Sequence, residues 1–354
     1  MTQVDYLIVG NGLAGSLLGY NLIKAGKSIR IIDANETVTS SKVAAGIYNP
    51  ITGRRMVKTW MADQLFPYLE SFYAELETEL NTRFLFKKPV FRPFDTIADQ
   101  NYWNGQSSDA AFKNYIQIVD TEEEVLHHYH APLGGFYTSL SGYIQVKTML
   151  DAFESYFAKQ GFLESDEFDF EQLVQTEMGI SYKKYSAKAV IFCQGYGNRL
   201  NPFFNYLPIE PTKGQVLDVQ IHNYSILSIV NKRVFILPEN GFQRVGSTYE
   251  RDFTDLLPDE SAKLELSAKL EAVLKSSYTL INHRAAVRPT VVDRKPLLGR
   301  HPIFQNMFIF NGLGTKGVSV SPYFSNEMAQ YLISDKPLLP EVDIRRFDYL
   351  YQTK

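Results

Sequence analysis

The succession of elements along the 354-residue sequence predicts a two-domain α/β protein, α+β in its overall segregation. Three observations predict it. A strand, a glycine-rich turn, a helix and a second strand open the chain. From about Gly214 the segments become short and are separated by polar or Gly/Pro breaks, as in an antiparallel meander. The final third returns to strand followed by helix. No Pro/Gly/Ser-rich linker divides the two patterns, so the units interleave. One is a discontinuous Rossmann-like nucleotide domain (residues 1–84, 136–205 and 285–354). The other is an antiparallel-sheet substrate domain (85–135 and 206–284).

Each element has its own signal. Residues 4–9 are a continuous apolar strand, 13–24 a helix, and 29–32 a strand closed by Asp33. Val57, Trp60, Met61, Leu65, Leu69, Phe72, Tyr73, Leu76 and Leu80 recur at three-to-four spacing and predict a helix over 57–80. A helix is expected over 145–159 and a buried strand over 189–193. The meander covers 214–220, 226–230, 233–237 and 242–247. A helix over 261–275, an extended segment over 279–290, a strand over 307–310 and a helix over 319–332 follow. The tail, 339–354, reads as surface packing.

Composition removes several functional classes. A formal charge of −3 provides no basic face and argues against nucleic acid. Cys193 is the single cysteine, so neither an internal disulfide nor a thiolate zinc site can form. It lies in the apolar run 189–193, as a buried and unreactive thiol would. His127-His128-Tyr129-His130 has metal-capable side chains, but neighbours in a strand point apart, so no metal is expected. Glu122-Glu123-Glu124 reads as a solvated face. The first residues resemble no signal or transit peptide, and no apolar run is long enough for a bilayer; a cytoplasmic location is expected.

Gly10-Asn11-Gly12-Leu13-Ala14-Gly15 is a G-x-G-x-x-G between strand and helix, with Asp33 ending the next strand. That context makes it a dinucleotide fingerprint. Gly10 permits the tight turn, Gly12 the approach of a pyrophosphate, and Gly15 close packing of helix on strand. The free N–H groups of the helix start attract phosphate, while Asp33 suits a ribose hydroxyl. NAD and FAD both fit this much.

Further blocks carry a resemblance. They are Ala286-Val287-Arg288-Pro289-Thr290, Lys295 to Pro302, and Asn311-Gly312-Leu313-Gly314-Thr315-Lys316-Gly317. Earlier come Ser40-Ser41-Lys42-Val43-Ala44-Ala45-Gly46, Pro211-x-Lys213-Gly214-Gln215 and Gly246-Ser247-Thr248-Tyr249-Glu250. Together they resemble the D-amino-acid oxidase superfamily, closest to its glycine oxidase-like and sarcosine oxidase-like flavoenzymes. Residues 85–135 carry no recognisable block.

The resemblance implies FAD and oxidation of the C–N bond of a small amine or amino acid. Hydride passes to flavin N5 and oxygen reoxidises the flavin to give peroxide. It implies that Ser40, Ser41, Ala45 and Gly46 lie beside the ring, and that Gly195, Gly312, Gly314, Thr315, Lys316 and Gly317 complete the cofactor site. Lys316 at a helix start would stabilise negative charge on the reduced ring; an ordinary solvated lysine is the bland alternative. In the glycine oxidase-like and D-amino-acid oxidase families the arginine of the Arg288 block pairs with a substrate carboxylate, which a guanidinium fork suits. A structural ion pair is its alternative. Tyr249 and Tyr48 offer a ring and a hydroxyl to an amine, or simple packing. Some relatives attach FAD through cysteine or histidine, but residues 288–317 contain no cysteine and residues 33–60 no histidine, so FAD is expected to be noncovalent.

Three rivals stand beside this reading. One is a flavin-dependent oxidase acting on a modified tRNA base, to which Arg54, Arg55 and Lys58 would lend cations. The second is an NAD-dependent dehydrogenase. The third is a flavoprotein without turnover, for which no residue speaks.

Overall fold

The computed structural model describes residues 1–52, 57–119, 124–224 and 228–352. Arg54, Arg55, Glu122, Glu123 and the start of the predicted strand 226–230 lie outside them. The first strand, Thr2–Val9, sits inside a mainly parallel sheet ordered Leu163–Ser165, Ile29–Asp33, Thr2–Val9, Tyr185–Phe192, Met307–Asn311. Strands Gly179–Tyr182 and Leu173–Thr176 extend it antiparallel from Tyr185–Phe192. Residues 6–9, 189–192 and 307–310 of its central strands are continuous apolar runs because both faces are covered there: Ile8 and Ile31 enter one core, Leu7 and Val190 the other. Helices Leu13–Lys24 and Gly317–Ser334 pack together on the first face. The last strand and helix thus return from the far end of the sequence to the opening βαβ unit.

The register aligns Val9 with Ile32 and with Phe192, and Phe192 with Ile309. Four strands therefore end level, and Gly10, Asp33, Cys193 and Phe310 follow at one edge. In open α/β sheets that edge is where ligands bind.

The second sheet runs Tyr278–Val291, Ile209–Ile221, Gln243–Gly246, Val234–Pro238, Ile229–Lys232, Val90–Pro93, Gly135–Thr138, Ile116–Val119. All its neighbours are antiparallel except Ile229–Lys232 with Val90–Pro93. Leu217, Val219 and Val245 pack one face onto Leu266 and Leu270 of helix Glu260–Glu271. Phe235 and Leu237 join Ala45 and Ile47 of the small-residue loop in an apolar cluster on the other face. The segment expected to be extended over 279–290 is one long edge strand, Tyr278–Val291.

Four expectations require correction. The helix expected over 57–80 starts at Ala62, because Met61 takes a left-handed φ of 55° that an α-helix does not propagate through; Val57–Lys58 instead pairs with Ile51–Thr52. The helix expected over 261–275 is Glu260–Glu271, opened by Asp259, whose carboxylate accepts from Ala262 N at 2.9 Å. His127 and His128 lie in a 3-10 turn, Glu124–His128, rather than a strand. The tail is not surface packing: Val342, Ile344 and Phe347 are buried, and Val342 O accepts from Leu298 N at 2.9 Å. Among the described residues, no group of three or more His, Cys, Asp or Glu is placed to hold a metal, and no helix is long and apolar enough to cross a membrane.

Candidate functional site

The glycine turn packs at the level edge of the parallel sheet. A Cβ on Gly10 (φ +103°) would fall 2.7 Å from Cys193 O, and one on Gly15 would fall 1.9 Å from Gly10 O. The turn can close only with glycine at both positions. Asp33 holds it in place: one carboxylate oxygen accepts from Asn11 N at 2.7 Å and the other from Asn35 N at 2.9 Å. Each oxygen retains acceptor capacity beyond these bonds. Ala14 is buried behind the turn, and Gly12 is half-buried.

Two distant blocks close on this turn. Ser41 Oγ accepts from Leu13 N at 3.2 Å, which brings the short helix Ser40–Val43 to the fingerprint. That helix also touches strand Tyr278–Val291. Gly46, with φ +67°, lies against strand Gly142–Ile144, whose Ile144 N donates to Gly46 O at 3.0 Å. From the other end, Asn311 Nδ2 donates to Gly195 O at 3.0 Å. Gly312 follows, Gly314 N donates to Pro289 O at 3.2 Å, and Thr315 is exposed. A Cβ on Gly317 would sit 2.9 Å from Leu13 Cδ2, so the first turns of two helices meet. The expected cofactor residues thus come from five stretches of sequence to one edge.

A flavin dinucleotide fits what lies there. The start of helix Leu13–Lys24 suits its pyrophosphate, and the start of helix Gly317–Ser334 suits negative charge on its ring. Thr290 Oγ1 is buried and has no hydrogen-bond partner among the described residues. It lies beside Gly314, whose Cβ would have only Thr290 Cα and two carbonyl oxygens at 3.8–4.0 Å. An orphaned buried hydroxyl next to such an opening is explained by a polar ligand.

Arg288 is half-buried on strand Tyr278–Val291, opposite Thr212. Its Nη1 donates to Thr248 O at 3.2 Å and its Nη2 to Ser247 Oγ at 2.8 Å. No carboxylate among the described residues lies within ion-pair distance of it. Burial pulls its pKa below the usual arginine value, partly offset by Tyr249. The guanidinium lies 4.7 Å from the centre of the Tyr249 ring, and Tyr249 is 68% exposed. Further along the sheet, buried Asp218 is met by Arg244 Nε at 3.0 Å and by Arg284, which completes a structural network. Among the described residues, Arg284 therefore has a carboxylate and Arg288 does not.

Lys316 Nζ donates to the buried Thr59 Oγ1 at 3.1 Å. Burial, with Lys295 and Arg294 nearby, pushes its pKa down to about 8. It is not an ordinary solvated lysine. Lys295 itself lies 3.4 Å over the centre of the Trp60 ring, which stacks on Phe324 at 5.6 Å.

Tyr48 is not brought to the site. It is fully buried and its hydroxyl donates to Glu70 Oε1 at 3.2 Å, so packing and one internal hydrogen bond account for it. Lys58 pairs with Asp63 at 2.7 Å and lies 5.0 Å from the centre of the Tyr115 ring; Arg54 and Arg55 lie outside the described residues. Sequence reasoning passed over Ser247, Thr59 and Thr290 as site residues. Ser247 stands inside the block 246–250 and Thr290 inside the block 286–290, and those blocks were the signal. Thr59 carried none.

Comparison with known proteins shows the family and the fold. The chain is 25% identical over 370 residues to the tRNA 5-methylaminomethyl-2-thiouridine biosynthesis bifunctional protein MnmC of Idiomarina loihiensis, covering 97% of this chain but 58% of that protein. Iminodiacetate oxidase (IdaA) from Chelativorans sp. BNC1 has the same fold, with a TM-score of 0.77 at 19% identity over 97% of this chain and 98% of the other. Glycine oxidase from Geobacillus kaustophilus superposes with a TM-score of 0.78 at 18% identity over 98% of both chains. Residues 5–331 match the family described as DAO, FAD dependent oxidoreductase, and the protein is therefore an FAD-dependent oxidoreductase of that family.

Proposed function

We propose that the enzyme oxidises the C–N bond of a small amine or amino acid that carries a carboxylate. The observation that carries this reading is Arg288: half-buried, held by Ser247 and Thr248, and without a carboxylate partner among the described residues. Burying an unpaired guanidinium is costly, and an anionic substrate removes that cost. Noncovalently bound FAD supplies a two-electron acceptor at N5. The residues proposed to hold it are Gly10, Gly12, Leu13, Ala14, Gly15, Asp33, Ser40, Ser41, Ala45, Gly46, Gly195, Gly312, Gly314, Thr315, Lys316 and Gly317.

The chain's contribution to catalysis is orientation. Arg288 fixes the carboxylate and so sets which C–H faces the ring. The apolar cluster of Phe235, Leu237, Ala45 and Ile47 excludes water nearby. Lys316 places positive charge at the start of helix Gly317–Ser334. The reaction takes amine, dioxygen and water to a carbonyl compound, a released amine or ammonia, and hydrogen peroxide. The test is peroxide release from the yellow holoenzyme with glycine, sarcosine, D-amino acids and L-proline. Peroxide from none of the carboxylated amines, but from amines without a carboxylate, would overturn the reading.

A second reading rests on the MnmC likeness over 97% of this chain: the amine is borne by a modified uridine of tRNA. The net charge of −3 speaks against a large RNA footprint. Turnover of undermodified tRNA, with no turnover of free amino acids, would favour this second reading.

A further inference from the structure

The segment Lys213-Gly214-Gln215 belongs to strand Ile209–Ile221, and successive side chains of a strand point to opposite faces. Gly214 therefore shares the face of Thr212, which opposes Arg288. A Cβ on Gly214 would fall 2.1 Å from Arg288 Nη1 and 2.2 Å from both Cζ and Nη2. The guanidinium lies directly on the Gly214 backbone, in space any other side chain would fill. Tyr249 covers it from the ring distance of 4.7 Å. Ser247 and Thr248 each take one N–H. A guanidinium has five N–H groups, and those beyond these two have no acceptor among the described residues.

Ser247, Thr248 and Tyr249 follow the end of strand Gln243–Gly246 and are held from the strand opposite. Gln215 N donates to Thr248 Oγ1 at 3.0 Å, and Thr248 N donates to Gln215 O at 3.3 Å. Lys213 and Glu250 exchange backbone hydrogen bonds of 2.8 and 3.0 Å. The Lys213 ammonium, 4% exposed, lies 3.4 Å from Asp259, 3.6 Å from Asp255 and 3.9 Å from Glu250. Gln215 Nε2 also donates to Asp259, and Asp259 N donates to Gln215 Oε1 at 3.0 Å.

We propose that Lys213-Gly214-Gln215 is the positioning unit for Arg288. Gly214 forms the bed of the guanidinium, while Lys213 and Gln215 fasten the Ser247–Glu250 segment that clamps it. The inference rests on the reading of Arg288 as the carboxylate partner. It adds that affinity for the carboxylate is set by residues that never touch substrate. A buried cation facing three carboxylates holds the loop more firmly than backbone pairing alone, since its removal leaves those carboxylates repelling one another.

The test is titration of the oxidised holoenzyme with acetate, read by the flavin absorbance band, alongside FAD content and melting temperature. Gly214→Ala is expected to weaken acetate binding about 10-fold or more with FAD content unchanged, because the displaced guanidinium loses its bidentate geometry. Lys213→Met should weaken it as well, and Lys213→Arg should recover part of the loss. Gly214→Ala holding FAD and binding acetate like the wild type would overturn the proposal. Should Gly214→Ala lose FAD, the Lys213 variants decide: Lys213→Met binding acetate like the wild type would equally overturn it. A wild-type enzyme indifferent to acetate would instead overturn the carboxylate reading of Arg288, and this inference with it.

Discussion

Leu13 and Gly317 bring the first turns of two helices into contact, with the Gly317 Cβ position 2.9 Å from Leu13 Cδ2. One helix follows the first strand and the other the last strand of the same sheet. Two helix starts and their positive dipole ends consequently face one edge. A dinucleotide with its pyrophosphate at the first start and its flavin ring at the second would match that arrangement.

Gly12 and Gly15 should separate cofactor binding from folding. At Gly12 the nearest neighbour of an added Cβ is Ser41 Oγ at 3.4 Å, whereas at Gly15 it is the Gly10 carbonyl oxygen at 1.9 Å. Gly12→Val is expected to fold, with a near-normal thermal melt, and to lose FAD. Gly15→Val is expected to lose both. Retention of FAD by purified Gly12→Val would contradict the assigned phosphate approach.

Arg288→Ala should leave FAD bound and cost about 2–5 kcal/mol in kcat/KM for a carboxylated amine. An amine without a carboxylate should lose far less. Equal losses for the two classes would show that the arginine serves structure rather than substrate.

Lys316 gives a pH signature. Its amine is charged below about pH 8 and neutral above. Positive charge at the start of helix Gly317–Ser334 stabilises a negatively charged reduced ring, so the flavin potential should fall more steeply across that pH. Lys316→Met should lack the step and lie below the wild type on its acid side. The sign for stability is opposite. The folded pKa lies under the ordinary 10.5, so the charged form opposes folding and stability rises from about pH 8 to 10.5. Thermal melts of the two proteins across this range would check it.

Acid or heat precipitation should release the flavin into the supernatant. Cys193, the only thiol, is buried beneath the glycine turn, with its Cβ 3.3 Å from the Gly15 Cβ position and its pKa raised by burial. Yellow colour remaining with the denatured chain would refute noncovalent binding.

The nucleotide edge was legible because its signals are local: a strand, a turn needing glycine, a helix start and an acid occur in a short span. The Arg288 environment was half legible. An arginine in an apolar strand draws notice, but its bed on Gly214 joins residues of two different strands, and glycine carries no chemistry of its own. Tyr48 and Tyr249 were indistinguishable as letters. One is fully buried and bonded to Glu70, the other is 68% exposed over the arginine, and only tertiary packing separates them. The tail misled because Val342, Ile344 and Phe347 are spaced too irregularly for a helix or strand signature, although all three are buried.

Strand Tyr278–Val291 carries Arg284, Ala286, Arg288 and Thr290 on one face, the last beside Gly314 and the third above Gly214. Inserting or deleting one residue between Arg284 and Thr290 would turn part of that row to the opposite side. It would strip the arginine from its bed or the threonine from the cofactor edge. Variation in what the enzyme accepts is thereby channelled away from this strand. A lineage of such enzymes would keep the strand's length constant while its preference among amines drifted.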